Sequence, residues 1–194
     1  MTHAEMRRAR RAEARRETDA AAGRLGMDAL APERLVALLE SDEPFVPWAA
    51  ADRLVARGHG AVDALIGGLA HPDARMRAAC ALLLDHVADA RCVAPLRRAM
   101  RDDPHASVRR CAMHALVCDG CKECPLDADA VGALIESTLS DRSRAVRRRA
   151  VFYLSQQRPD PRTAPALARL LAQEPDAVTR RRAEQAPAGL QEQD

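Results

Sequence analysis

Apolar residues recur at offsets of three and four along most of the chain, and one short phrase keeps returning between turns. Its copies are VPWAAADRL from Val46, MRAACALLL from Met76, VRRCAMHAL from Val108 and VRRRAVFYL from Val146. A fifth, TRRRAEQAP from Thr179, turns polar at Glu184 and Gln185. The starts are 30, 32, 38 and 33 residues apart. After each of the first four copies comes a second apolar pattern: Val62, Leu65, Ile66, Leu69; Val93, Leu96, Met100; Val131, Leu134, Ile135, Leu139; Leu167, Leu170, Leu171. Offsets of three and four place side chains on one helix face. Turns such as HPDA at 71–74, DDPHA at 102–106 and EPDA at 174–177 supply Pro and Asp where helices begin. Each unit therefore reads as helix, turn, helix, and no alternating strand pattern competes. One pair cannot bury its own face, and stacked pairs share a continuous core. The prediction is an all-α fold, a short α-solenoid of about five helix pairs. Helices are expected near 45–57, 60–70, 73–87, 91–101, 105–117, 128–140, 142–156 and 161–173.

The N-terminal stretch is different. Thr2 and Glu5 fit a capping box, and residues 3–22 are rich in Ala, Arg and Glu with almost no large apolar side chain. Helix propensity is high there and the stripe for burial is poor, which predicts a solvated helix or a partly frayed arm. The division expected is 1–26 as an Arg/Ala-rich helix or arm, 27–186 as the repeat array with a Cys-rich insertion at 118–127, and 187–194 as a disordered tail.

Composition narrows the picture only a little. The net charge is +2, which disfavours a strongly basic nucleic-acid binder. Aromatics are limited to Phe45, Trp48, Phe152 and Tyr153, so the core must come from Leu, Val, Ile and Ala. Lys122 is the only lysine, a bias that fits a GC-rich genome. MTHAEMRRARRAEARR holds no apolar signal core, and no run of 18 apolar residues exists to cross a membrane. The expected location is the cytoplasm, where thiols stay reduced and metal binding or burial is favoured over disulfides.

The phrase P-D/H-x-x-V-R-R-x-A-x-x-x-L, followed by an apolar second helix, resembles the HEAT repeat. It is similar to the bacterial subtype of phycobilisome-lyase-type HEAT-like proteins, over roughly residues 42–186. The resemblance implies a right-handed superhelix of antiparallel pairs, with second helices lining a concave face. It does not imply one function, because such arrays serve many roles. Pro47 replaces the usual Arg in the first copy, and Glu184 and Gln185 replace apolar residues in the last. Both departures suit terminal caps.

One connection stands apart. The intervals Leu54–Val62, Leu84–Val93 and Leu154–Ala164 are 8, 9 and 10 residues, whereas Leu116–Val131 is 15. Cys118, Cys121 and Cys124 lie in this longer connection. A C-x2-C-x2-C run lets thiolates reach one ion, and His114 stands one helical turn before the first of them. A structural zinc site of His114, Cys118, Cys121 and Cys124 is the expectation. Cys92, one repeat earlier, and Cys111, one turn before His114, are alternative ligands. An iron–sulfur cluster is the weaker reading, since Pro125 follows Cys124 at once and no fourth Cys comes after three more residues. Three thiols in a loop with no metal are the bland alternative. Cys80 and Cys111 occupy small-residue positions and read as buried hydrophobes.

Arginine forms two columns. Arg77, Arg109, Arg147 and Arg180 share the first, with turn acids such as Asp73, Asp103, Asp141 and Asp176 nearby as partners for a stacking ladder. Arg110, Arg148 and Arg181 share the second and are candidate phosphate or partner contacts. No nucleophile–base set, phosphate loop or paired carboxylates stand out, so the leading reading is a non-enzymatic scaffold or adaptor that binds another protein through its concave face. The alternatives are a DNA-binding HEAT-like protein, glycosylase-like or non-catalytic, and a lyase- or chaperone-like protein. A mixed or apolar concave face favours protein, and a basic one favours DNA.

Overall fold

The computed structural model describes residues 3–122 and 125–186, and all regular structure among them is helical. The helices are α1 (His3–Arg24), α2 (Pro32–Leu38), α3 (Val46–Ala56), α4 (Val62–Gly68), α5 (Ala74–Val87) and α6 (Val93–Asp102). Then come α7 (Ala106–Val117), α8 (Ala130–Ser140), α9 (Arg144–Leu154), α10 (Thr163–Gln173) and α11 (Ala177–Gln185). Every helix expected between 45 and 173 is present, with ends within about two residues. First helices stack on first helices, α5 on α7, α7 on α9 and α9 on α11, while α8 meets α10 on the other layer. This is an α-solenoid.

The array begins earlier than the periodicity indicates. Helix α1 packs on α3 and α2 packs on α4, so they fill the places of a first and second helix. Thr18, Ala21 and Ala22 are buried at the docked end of α1, and the arginines nearer its start are exposed. Alanines are small enough to let the two helices approach without a wide apolar stripe. Five helix pairs result, followed by α11. The tail at 187–194 lies outside the described residues.

One core runs between the two layers, built from Leu35, Leu54, Leu65, Leu84, Leu96, Met113, Leu134, Leu154 and Leu170 among others. Helix starts use the turn acids: the side chains of Asp73, Asp129 and Asp176 accept from the amides of Arg75, Gly132 and Thr179. Two sites show how closely elements approach. A Cβ on Gly68 would lie 2.3 Å from Cys80 Sγ, so only glycine lets α4 meet α5 there. Phe45 enters α3 in the left-handed region at φ 66, which costs a non-glycine residue about 1–2 kcal/mol, and its ring packs against the core.

The first arginine column is a ladder that reaches forward one repeat. Arg77 donates to Asp103 at 2.7 and 3.1 Å, and Arg109 donates to Asp141 at 2.7 and 2.8 Å. Arg147 donates to Glu174 at 2.5 and 2.8 Å. Each also donates to carbonyls of its own preceding turn: Arg77 to His71 and Pro72, Arg109 to Asp103, Arg147 to Asp141. Arg180 closes the ladder on the carbonyls of Leu171 and Glu174. Two of the expected partners are corrected. Asp73 and Asp176 cap α5 and α11 instead, and Glu174 takes the third rung. The rung acids Asp103, Asp141 and Glu174 each stand five residues before a phrase, a place held by His71 before the second copy. Pro47 removes the arginine that would have served the first.

Arg77, Asp103, Arg109 and Glu174 are buried, Arg109 to 1% exposure, while Asp141 and Arg147 are half-buried. Burial alone would raise the Asp103 carboxyl, yet Arg77 and the His105 amide hold it below the usual range. Arg147 likewise lowers Glu174 against burial. A bidentate guanidinium–carboxylate pair with its remaining donors satisfied is the form in which a buried ion pair is tolerated.

Candidate metal centre

At the other end of α7 the chain leaves the helix through Cys118, whose amide donates to the carbonyl of His114 at 2.9 Å. Its φ of −86 and ψ of 106 turn the backbone outward. A short 3-10 turn, Asp119–Cys121, then brings the second cysteine back over the helix end. The two sulfurs lie 3.4 Å apart, and Cys121 Sγ lies 3.6 Å from His114 Nε2. The histidine and the first two cysteines of the sequence expectation are therefore brought together. Cys124 lies outside the described residues.

A fourth group joins them from the preceding repeat. Asp85, near the end of α5 and 2% exposed, places Oδ2 at 2.9 Å from His114 Nε2. One donor atom from each of Asp85, His114, Cys118 and Cys121 lies within 4.8 Å of the others. With metal–ligand bonds of roughly 2.0–2.3 Å, a tetrahedron has edges of roughly 3.3–3.8 Å. The donor set thus has the chemistry and nearly the dimensions of a four-coordinate zinc site.

The surroundings hold these groups in place. His114 Nδ1 is 2.6 Å from the Tyr153 hydroxyl on α9, which fixes the ring and leaves Nε2 toward the sulfurs. Lys122 places its ammonium 3.3 Å from Asp85 Oδ1 and also donates to the Cys118 carbonyl. The anionic donors crowd one another. The Cys121 thiol is pushed up to about 12, first by its hydrogen bond with Cys118, then by that with Asp85 and by burial. A bound cation would relieve this crowding and draw off the thiol protons.

The alternative cysteines are not in the group. Cys92 is fully buried at the start of α6, and Cys111 is half-buried one turn earlier in α7. Cys80 is fully buried, as a small hydrophobe is expected to be. Sequence reasoning missed Asp85, Tyr153 and the part played by Lys122. A signal existed for Asp85: the neighbouring copies carry Val55 and Val117 at its position. A charge where its neighbours are apolar marks a residue with another task.

A cleft of about 940 Å3 adjoins the group, with His114, Cys118, Val131, Phe152, Tyr153 and Arg158 among its walls. Phe152 is flanked by the guanidiniums of Arg149 and Arg182, each 5.6 Å from the ring centre. In the second arginine column, Arg110 and Arg181 are exposed and Arg148 is half-buried. None of the three takes part in a salt bridge among the described residues.

The comparisons bear on the fold. Residues 117–188 match the family of HEAT repeats. No curated protein matches the chain significantly in sequence. Among solved structures the chain is similar to the complex of CpcE and CpcF of phycocyanin lyase from Nostoc sp. PCC7120. The TM-score is 0.62 at 22% identity, covering 80% of this chain and 97% of that one. Residues 117–188 therefore carry HEAT repeats, and the solenoid as a whole shares its fold with that lyase complex. Among the described residues no helix is long and apolar enough to cross a membrane.

Proposed function

We propose that this chain is a non-enzymatic, protein-binding HEAT scaffold of the bacterial cytoplasm, with a structural zinc at His114, Cys118 and Cys121. The observation that carries the protein-binding reading is the mixed character of the outward second-helix face. Exposed Asp63 on α4, Asp102 on α6 and Glu136 on α8, with exposed Ala94 on α6 and Pro165, Ala168 and Ala172 on α10, share this layer with Arg97, Arg98 and Arg101 on α6 and Arg169 on α10. Such a face suits the polar and apolar mixture of a protein surface rather than a run of phosphates. Arg110, Arg148 and Arg181 lie on α7, α9 and α11 in the other layer, and offer guanidiniums to a partner that reaches that side. The structural neighbour is itself a complex of two proteins, which supports a protein partner here. Free thiols at Cys80, Cys92, Cys111, Cys118 and Cys121 suit a reducing compartment. These three together with a fourth protein ligand would leave no open position for water, which makes the proposed zinc structural.

The test compares the full chain with a variant carrying Arg97→Glu, Arg98→Glu and Arg169→Glu and with Arg110→Ala/Arg148→Ala/Arg181→Ala. A stoichiometric protein partner held by the parent and lost from these variants is the expected result. Submicromolar duplex DNA binding that survives physiological salt would overturn it. For the metal, elemental analysis should give one zinc per chain and much less in Cys121→Ser. A brown chain absorbing near about 400 nm would instead indicate an iron–sulfur cluster.

A further inference from the structure

Asp85 is a buried carboxylate that the stacking of the array does not require. Its counterparts in the neighbouring copies are the exposed Val55 and the buried Val117, so the repeat forms without a charge at this position. A carboxylate out of water needs a charge partner and filled lone pairs. Here one oxygen faces His114 Nε2 at 2.9 Å and the other faces Lys122 Nζ at 3.3 Å. Lys122 is buried as deeply as its partner, its side chain 2% exposed against 3% for that of Asp85. The only lysine of the chain is thus spent inside this group.

We propose that Asp85 is the fourth metal ligand and that the ion is a clasp joining three consecutive repeats. This rests on the zinc reading above. The ligands come from two helices: Asp85 from α5, and His114, Cys118 and Cys121 from the end of α7. Tyr153 extends the connection to α9, because its hydroxyl holds the ring of His114 from the next repeat. A site built only from His114 and the cysteines would tie a loop to its own helix. A site that includes Asp85 fixes how α5, α7 and α9 sit against one another.

Charge supports this donor set. Two thiolates and a carboxylate carry three negative charges and the imidazole none. A divalent ion reduces the sum to one negative charge, and the Lys122 ammonium brings it to zero. The neutral total suits a group whose carboxylate and ammonium are both withdrawn from water. A hard carboxylate beside two soft thiolates and an imidazole is also within the range zinc accepts.

The experiment uses the full chain, loaded with zinc for affinity by chelator competition and with cobalt(II) for spectroscopy. Asp85→Ala should weaken zinc binding about 100-fold or more, while Cys124→Ser should stay within about threefold of the parent. Asp85→Cys should retain the ion and raise the thiolate-to-cobalt charge-transfer band by about half, as three sulfurs replace two. Tyr153→Phe should weaken zinc by about tenfold with an unchanged cobalt spectrum. Circular dichroism of each metal-free variant keeps loss of affinity apart from loss of fold. Adding zinc to the parent should slow amide exchange at the end of α5 and in α9 as well as in α7. Tight binding in Asp85→Ala, with the charge-transfer band reduced in Cys124→Ser, would overturn the clasp and leave the zinc reading standing. A parent chain that binds no zinc would remove both.

Discussion

The two ends of α7 are joined to their neighbours by opposite means. At its start, Arg109 reaches forward to Asp141 through a device that recurs at Arg77 and Arg147. At its end, His114, Cys118 and Cys121 meet Asp85 from the repeat behind, and no other copy carries such a group among the described residues. The ladder is periodic and is complete within the protein's own charges. Among the described residues the cluster occurs once, and its four donors are the set that the proposed zinc would take. A repeated device holds each junction to the same geometry, and a single one sets one junction apart from the rest.

The largest effect is expected at the ladder. Arg109→Ala leaves the Asp141 side chain buried without its partner, and the expected loss is about 3–5 kcal/mol in denaturant unfolding. Arg109→Met with Asp141→Leu removes both charges together, and should recover most of that loss. If the single change costs less than about 1 kcal/mol, the ladder does not hold the repeats.

Metal removal comes next. Zinc at about a hundred times its dissociation constant should add about 2.7 kcal/mol, lost on chelation and absent in Cys121→Ser. Equal stability with and without chelator would make the two ends of α7 alike in needing no ion.

Acid should separate the ends. Asp103 and Glu174 are lowered in the folded state, so their contribution is present above the unfolded value of about 4 and is lost as pH falls through their folded values. Zinc binding requires deprotonated thiols and imidazole, so it weakens as pH falls from neutrality. Titration followed by both zinc release and helicity should show zinc leaving first, with the helices surviving to below about pH 4. Simultaneous loss would couple the two devices.

The smallest effect is expected in the second arginine column. Arg110→Ala, Arg148→Ala and Arg181→Ala should each change stability by no more than about 0.5 kcal/mol, since none is a rung. A larger change would assign that column to the fold rather than to a partner.

What the sequence made legible divides along the same line. Helix positions follow from apolar periodicity, and the ladder follows from Arg and Asp recurring in register. Glu174 escaped because it breaks the Asp pattern while keeping the rung position. The docking of α1 escaped because alanines such as Ala21 and Ala22 bury well without looking apolar enough. His114, Cys118 and Cys121 are neighbours in sequence and were read together. Asp85 and Tyr153 reach the cluster only through the stacking of α5 and α9 on α7, a contact that no local spacing records.

The close approach of Gly68 to Cys80 makes the chain its own stopwatch. The Cys80 sulfur is sealed where α4 meets α5, and burial pushes its thiol up to about 12. A thiol reagent can reach it only while these helices are apart. Its labelling rate therefore reports how often the array breathes at that seam, free of any probe added to the surface. Read with and without zinc, the same rate would show whether an ion held at the far end of α5 is felt at the seam.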